Sequence, residues 1–236
     1  MVKELVRCDA RDYIKSIEKE SLDLIILDPD YDDWKELIEC GFIKDCLKVL
    51  KRSGNMLMFT KQPFDFELRN AIQPIFRREI IWSFTNGGAW VSNKMPLVSF
   101  QKIFWCVKSR EFYFDPRTGQ EYAEGTSDFQ RSEKVFEGYH EQGKAFKKSD
   151  DGTWLRDHLH FNKPNTGAIP AKPKELIDIL VRCFCPVGGL VYDPFSGSGT
   201  VIRSANERDC DVIANEIDEN RCNDIMDSLT IFDLYL

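Results

Sequence analysis

Apolar positions along the chain change period several times, and each change predicts an element. Leu22 to Leu27 is a short, nearly continuous apolar run that stops at Asp28-Pro29, as a buried parallel strand ends in a loop. Residues 35–50 carry apolar side chains at helical spacing (Leu37, Ile38, Phe42, Cys46, Leu47, Leu50). Lys51-Arg52-Ser53-Gly54 then looks like a basic last turn followed by a breaker. Strands are expected at 55–60, 79–84 and 101–108, a helix at 64–74, and a break at Gly87-Gly88. From 112 to 168 the periodicity fades, and so long a stretch predicts an inserted region of loops and short elements. A helix over 173–183, a strand over 190–192, a glycine-rich turn, a helix over 201–207, and a strand over 211–217 with a following helix complete the series. Strands alternating with helices predict an α/β fold with a doubly wound sheet. Such sheets bind ligands beyond the carboxyl ends of their strands.

Composition narrows the class. The chain has 236 residues, 42% hydrophobic and 30% charged, which suits a globular domain carrying an insertion. No apolar run approaches the roughly 20 residues that cross a bilayer, and the N-terminus lacks a signal-peptide core. A cytoplasmic location without membrane contact is the expectation. The eight cysteines are scattered without a Cys-x-x-Cys pair, so buried reduced thiols are expected and metal is not. Cys183 and Cys185 alternate about Phe184, as neighbours on a strand or bent turn would.

The net charge of −7 argues against a nucleic-acid partner only until it is divided. From Asp193 to the C-terminus ten acids face three bases, an excess equal to the whole net charge. Between Lys61 and Glu111 eight bases face four acids. Phosphate contact needs a local positive surface, which this asymmetry permits.

Two segments carry candidate chemistry. Asp193-Pro194-Phe195-Ser196-Gly197-Ser198-Gly199-Thr200 joins a strand to a helix, where glycines let the backbone approach a ligand closely. It lacks the Lys of a P-loop, and Ile202 stands where a dinucleotide fingerprint wants its third glycine. Glu216, at the end of the next strand, is placed to accept hydrogen bonds from ribose hydroxyls of an adenosine-bearing cofactor. The second segment is Asp28-Pro29-Asp30-Tyr31, which follows the buried strand.

Taken in order, these segments resemble DNA amino-methyltransferases of the β arrangement, in which an Asp-Pro-Pro-Tyr motif precedes the cofactor motif. Lys172-Pro173-Lys174-Glu175-Leu176-Ile177 is similar to that family's Lys-Pro-x-Glu-Leu-Ile helix start. Cys8-Asp9-Ala10 resembles its Gly-Asp segment near the adenine ring, and Glu79-Ile80-Ile81-Trp82 resembles a strand upstream of its recognition region. The resemblance covers nearly the whole chain except the insert. It implies a methyltransferase fold, a doubly wound mixed sheet of about seven strands with permuted motif order: a catalytic half (1–111), a target-recognition insert (112–168) and a cofactor-binding half (169–236). It implies S-adenosylmethionine as cofactor, held by Asp9, Ala10, Asp28, Lys172, Asp193, Phe195, Ser196, Gly197, Ser198, Gly199, Thr200, Glu216 and Ile217.

The same resemblance gives Asp28, Pro29, Asp30 and Tyr31 the catalytic roles. An exocyclic amine is a poor nucleophile because its lone pair is conjugated with the ring. The Asp28 carboxylate and the Pro29 carbonyl, accepting its N–H groups, favour the positive charge that develops as a methyl arrives. Tyr31 offers a face on which an extruded base stacks. Asp30 departs from the family, which has Pro there, and adds charge beside Asp28, Asp32 and Asp33. Asp28, Asp30, Asp32 and Glu39 also fit positions one, three, five and twelve of a calcium loop, although Asp33 replaces its glycine and a strand precedes it.

In the insert, Trp154, Arg156, His158, His160, Phe161 and Lys163 interleave aromatics with bases, as stacking and phosphate contact require. With Lys94, residues Trp154, Arg156, His158 and Lys163 are the candidate nucleic-acid contacts. Trp82, Asn86, Trp90 and Asn93 are candidates to line the path to the base, with a core role equally open for Trp82. Because Asp leads the motif, adenine N6 is the expected target; family members acting on cytosine N4 more often start with Ser. Cytosine N4, a catalytically weakened binding homologue, and an RNA or small-molecule methyltransferase are the alternatives. DNA is the expected partner, with a homodimer and a cognate restriction endonuclease left open.

Overall fold

The computed structural model describes residues 2–86, 94, 96–120, 152–165 and 171–233. Its elements run β1 (Val2–Val6), α1 (Ala10–Tyr13), β2 (Leu22–Leu27), α2 (Trp34–Glu39), α3 (Phe42–Val49), β3 (Leu50–Thr60), α4 (Asp65–Ala71), β4 (Phe76–Ser83), β5 (Phe100–Val107), β6 (His158–His160), α5 (Lys174–Phe184), β7 (Leu190–Asp193), α6 (Thr200–Glu207), β8 (Asp211–Asn215) and α7 (Glu219–Asp233). One eight-stranded sheet has the order β1-β8-β7-β2-β3-β5-β4-β6. The first five strands in that order are mutually parallel, β5 is antiparallel to both neighbours, and β6 runs parallel to β4. The sheet is mixed, as expected, with one strand more than the seven anticipated.

β2 lies at the centre and all six of its residues are buried. Leu24 and Ile26 pack with Leu176, Ile177 and Leu180 of α5 and with Ile202 of α6. Ile25 and Leu27 pack on the other face with Trp34, Leu37, Phe42 and Cys46 of α2 and α3. A strand covered on both faces cannot alternate apolar with polar, which explains the continuous run in the sequence.

Two expectations need correction. The helical run over 35–50 is broken at Gly41, whose φ of +84° ends α2 and starts α3. Lys51 to Gly54 do not stop a helix but belong to β3. The ladder shifts there, with Leu22 opposite Leu50 but Leu24 opposite Asn55. Lys51 reaches back to Asp23 at 2.7 Å, and a Cβ on Gly54 would lie 2.6 Å from the Leu50 side chain. Close packing rather than chain breaking requires that glycine. Of the two placements open to Cys183 and Cys185, the strand is not the one found: Cys183 continues the buried helical stripe of Leu176, Ile179 and Leu180, and Cys185 stands in the bend that ends α5.

Both described ends of the 112–168 stretch are tied to the sheet. β6 extends its edge, and Phe112, Phe114 and Phe184 surround Trp105 with ring centroids within 5.2 Å of its own. Buried Asn55 closes this corner. Its amide donates to the Tyr113 and Phe184 carbonyls, both at 2.8 Å, and its Oδ1 accepts from Trp105 Nε1 at 2.8 Å. Among the described residues, no helix is long and apolar enough to cross a membrane.

Replacing Asn55 by Leu leaves three buried polar groups without their partner, each worth about 1–3 kcal/mol. Urea denaturation of Asn55→Leu is therefore expected to show a loss of about 3 kcal/mol or more. A loss under about 1 kcal/mol would mean that the corner does not depend on this amide.

Candidate active site

The carboxyl ends of the parallel strands open into a cleft of about 830 Å³, within the range of roughly 300–1,000 Å³ usual for small-ligand sites. Asp9 follows β1, Asp28 follows β2, Lys61 follows β3, Asp193 ends β7 and Glu216 follows β8. All five line the cleft. β4 and β5 are antiparallel to each other, so the start of β5 and the end of β4 reach the same edge. That places Gln101, Ser83 and Phe84 beside the cleft residues of β2 and β3.

Asp28, Pro29, Asp30 and Tyr31 all face this cleft. Asp28 forms an ion pair with Lys172, a side chain only 17% exposed, from the segment leading into α5. Tyr31 donates its hydroxyl to Gln101 Oε1 at 2.8 Å, and Asp28 Oδ1 lies 3.5 Å from the Tyr31 hydroxyl oxygen. Burial, helped by the Asp28 charge, drives the Tyr31 phenol far above its ordinary pKa, so it remains a donor. Lys61 Nζ stands 5.1 Å from the centre of the Tyr31 ring. Asp30 is exposed, with φ −57° and ψ 130°. This backbone is the one a proline ring would fix. Asp30 therefore holds a proline-like backbone without the ring.

The glycine-rich turn forms the opposite wall. Phe195, Ser196, Gly197, Ser198 and Thr200 line the cleft. Gly199 does not; with φ +73° it starts α6, and a Cβ there would meet Ile225 of α7 at 3.2 Å. Glu216 fastens the turn by accepting from the Gly197 and Asp218 N–H groups at 2.7 and 2.9 Å. Asp9 caps α1 and is held by Arg11, which also pairs with Glu36 and pulls the Asp9 pKa down. Ala10 is buried below it, and Ile217, 66% exposed, stands at the rim.

Asp193 is chemically the least settled of these groups. It is 2% exposed, and its Oδ1 accepts from the Phe195 N–H at 3.2 Å. Among the described residues Oδ2 has no partner. Burial pushes the carboxyl up to about 8, opposed by the Phe195 N–H and raised further by the charges of Asp28 and Glu216. A buried, unpartnered carboxyl oxygen in a cleft is suited to a cation or hydrogen-bond donor brought by a ligand.

The expected nucleic-acid residues are less concentrated. Trp154 and Arg156 are exposed away from the cleft lining, and the Arg117 guanidinium stacks 4.7 Å over the Trp154 ring. His158 and His160, on β6, both bond to Ser83 Oγ, at 2.8 and 3.0 Å. Lys94 is exposed. Lys163 lies 4.1 Å over the Phe84 ring. Trp82 takes the core role, 1% exposed, with its indole N–H on the Phe161 carbonyl. Asn86 is engaged with the backbone of Lys163, and Trp90 and Asn93 lie outside the described residues. Arg11, Glu36, Lys61 and Gln101 are cleft residues that the sequence patterns did not single out.

Residues 18–227 match a family model described as DNA methylase, the N6/N4 methyltransferases. The chain belongs to this DNA methylase family. Among curated relatives, type II methyltransferase M.HpaI of Haemophilus parainfluenzae is 23% identical over 85% of this chain and 66% of that protein. The chain thus spans just under two thirds of that relative's length. DNA adenine methyltransferase YhdJ of Escherichia coli is 25% identical over 84% of this chain and 72% of that protein. Two solved structures show that the DNA methylase fold extends over nearly the whole chain. A putative DNA modification methylase of Thermus thermophilus, complexed with S-adenosyl-L-methionine, superposes with a TM-score of 0.68 at 17% identity, covering 97% of this chain and 95% of that one. The cytosine-N4-specific PvuII DNA methyltransferase gives 0.69 at 16% identity, covering 94% and 84%.

Two measurements follow from this methylase's cleft. The folded Asp193 carboxyl keeps its proton up to about pH 8, whereas the unfolded one releases it near 3.8. The native state therefore binds the extra proton between these values, and the stabilisation it brings is lost as pH rises from about 4 to 8. Melting temperatures of Asp193→Asn are expected to vary less than wild type over this window, with the variant relatively more stable at about pH 8. Parallel curves would place the Asp193 pKa elsewhere. In a double-mutant cycle of Tyr31→Phe and Gln101→Met, a coupling of about 0.5–1.5 kcal/mol is expected from their hydrogen bond; additivity would deny it.

Proposed function

We propose that this chain transfers a methyl group from S-adenosylmethionine to the N6 amine of adenine in DNA. One observation carries the proposal: Asp28 and Asp193 close the ends of two paired strands, β2 and β7, in a single cleft. The residues fit the cofactor. Asp193 offers a buried carboxyl oxygen in want of a donor, and the Gly197 turn and Glu216 offer a backbone wall and an acid for the nucleoside end. Lys172, Ile217, Ala10 and Asp9 complete this half. When bound, S-adenosylmethionine supplies a methyl group activated by its sulfonium.

The rest is work for the protein's own groups. Asp28 and the Pro29 carbonyl accept the hydrogens of the target amine, which favours the cationic nitrogen formed on transfer. Tyr31, held by Gln101, gives an extruded base its stacking face. With amine and methyl aligned in the cleft, positioning lowers the barrier without a covalent enzyme intermediate. Lys172 neutralises Asp28 in the structure described, so a substrate amine must compete with that ammonium for one carboxylate oxygen.

Residues 1–111 serve as the catalytic half and 169–236 as the cofactor half. The 112–168 stretch serves as the target-recognition insert, with Trp154, Arg156, His158 and Lys163, joined by Lys94 of the catalytic half, as nucleic-acid contacts. Adenine is supported by the leading Asp28 and by the likeness to the E. coli adenine methyltransferase. Cytosine N4 is the second reading, favoured by the likeness to the PvuII enzyme. The type II name of the Haemophilus relative supports a place in restriction–modification; a cytoplasmic location and a cognate endonuclease are part of the same reading. A homodimer belongs to the same proposal.

Mass spectrometry of nucleosides from DNA incubated with the protein and S-adenosylmethionine tests this directly. N6-methyladenine is expected, N4-methylcytosine would move the target to the second reading, and unmethylated DNA would contradict catalysis. Asp28→Ala is expected to lower the rate by about 10²-fold or more. Asp30→Pro is expected to fold and remain active, since the backbone already has proline's φ.

A further inference from the structure

Resting on the DNA substrate proposed above, we infer that Lys61 and Lys163 form a two-point clamp for the phosphodiester backbone of the strand whose base is seated on Tyr31. Three ammonium groups gather around the aromatic floor of the cleft mouth. Lys172 Nζ lies 5.0 Å from the Phe59 ring and 6.0 Å from both Tyr31 and Trp82. Lys61 lies on the Tyr31 side at 5.1 Å, and Lys163 on Phe84, which itself packs against Trp82 at 5.2 Å.

Their charges are balanced unequally. Lys172 is paired with Asp28. On neighbouring elements Lys102 is paired with Asp65 and Glu79, and Arg78 with Asp157. Among the described residues, Lys61 and Lys163 have no acid within ion-pair distance. Lys163 is partly desolvated and feels repulsion from both Lys172 and Lys61, and all three effects lower its pKa. An anion between the two lysines would relieve that repulsion.

Lys163 is also held more firmly than a solvated surface lysine needs. Trp82 Nε1 donates to the Phe161 carbonyl at 2.7 Å. The Thr85 N–H and hydroxyl donate to Asn162 Oδ1 at 2.9 and 2.8 Å. Asn86 donates to the Lys163 carbonyl at 2.7 Å and accepts its N–H at 2.9 Å. Three consecutive residues are thereby fixed to the end of β4 before any ligand arrives, which lowers the ordering cost of binding.

Sheet order separates the lysines from the cofactor wall. The glycine turn follows β7, on one side of β2, whereas Lys61 and Lys163 follow β3 and β6, on the other. The pair therefore stands on the side of Tyr31 away from that wall, where a strand whose base is seated on the ring would carry its phosphates.

The test uses Lys61→Gln, Lys163→Gln, the double variant and Lys163→Arg. Duplex DNA binding is measured from about 50 to 200 mM salt, with S-adenosylmethionine affinity measured in parallel. Each Lys→Gln change is expected to weaken DNA binding and to reduce the slope of log K against log salt by about 0.9. Lys163→Arg should keep the wild-type slope, and cofactor affinity should stay within about twofold. A wild type that binds DNA, with unchanged slopes in the Gln variants, overturns the clamp alone. Lost cofactor affinity in place of lost DNA affinity also overturns it, assigning the lysines to the cofactor. A wild type that ignores DNA at every salt overturns both the clamp and the DNA reading.

Discussion

Parallel pairing of β2 with β7 is the constraint on which the cleft depends. Leu24 sits opposite Val191 and Ile25 opposite Tyr192, so strands from opposite ends of the chain finish side by side. Both strands are covered on both faces, so their side chains interlock with packed layers on each side and a slip of one residue would break that packing. The acids that follow, Asp28 and Asp193, are thereby forced into the same cleft. Asp193 registers that neighbour: burial first, and then the charges of Asp28 and Glu216, raise its pKa.

The electrostatic arrangement answers that crowding. Lys172 neutralises Asp28, while Asp193, buried and half-partnered, keeps its proton near neutral pH. Across β2 the sign reverses, and Lys61 and Lys163 stand on aromatic rings without acids among the described residues. A chain of net charge −7 thus presents a cationic side where a phosphate backbone is proposed to lie. Its surplus of acids belongs to the C-terminal strands and helices. Local field, not net charge, decides what such an edge can attract.

Much of this was legible in the sequence because it is local. The Leu22–Leu27 run marks a doubly covered strand, and Asp28 to Tyr31 and Asp193 to Thr200 are contiguous turns that meet in the fold. What escaped detection depends on pairing across distance. β1, half-exposed at the sheet's edge, and three-residue β6 carry too little periodicity to register. Lys51 to Gly54 resembles a helix stop, and only contacts with Leu22, Asp23 and Leu50 make it strand. Gln101 and Lys61 are unremarkable as sequence; antiparallel β5 and the end of β3 bring them to Tyr31. Sequence alone groups Gly199 with the ligand-facing glycines of its turn, but its lack of a side chain serves packing against α7.

In the reading proposed above, this one cleft holds S-adenosylmethionine with Asp193 as its buried anchor. Calorimetric titration of the cofactor at about pH 7, repeated in buffers of different ionisation enthalpy, tests it most directly. One cofactor is expected per chain, with release of close to one proton as the cationic ligand ionises Asp193, and no release from Asp193→Asn. Absence of binding, or binding with no proton release by the wild type, would contradict it.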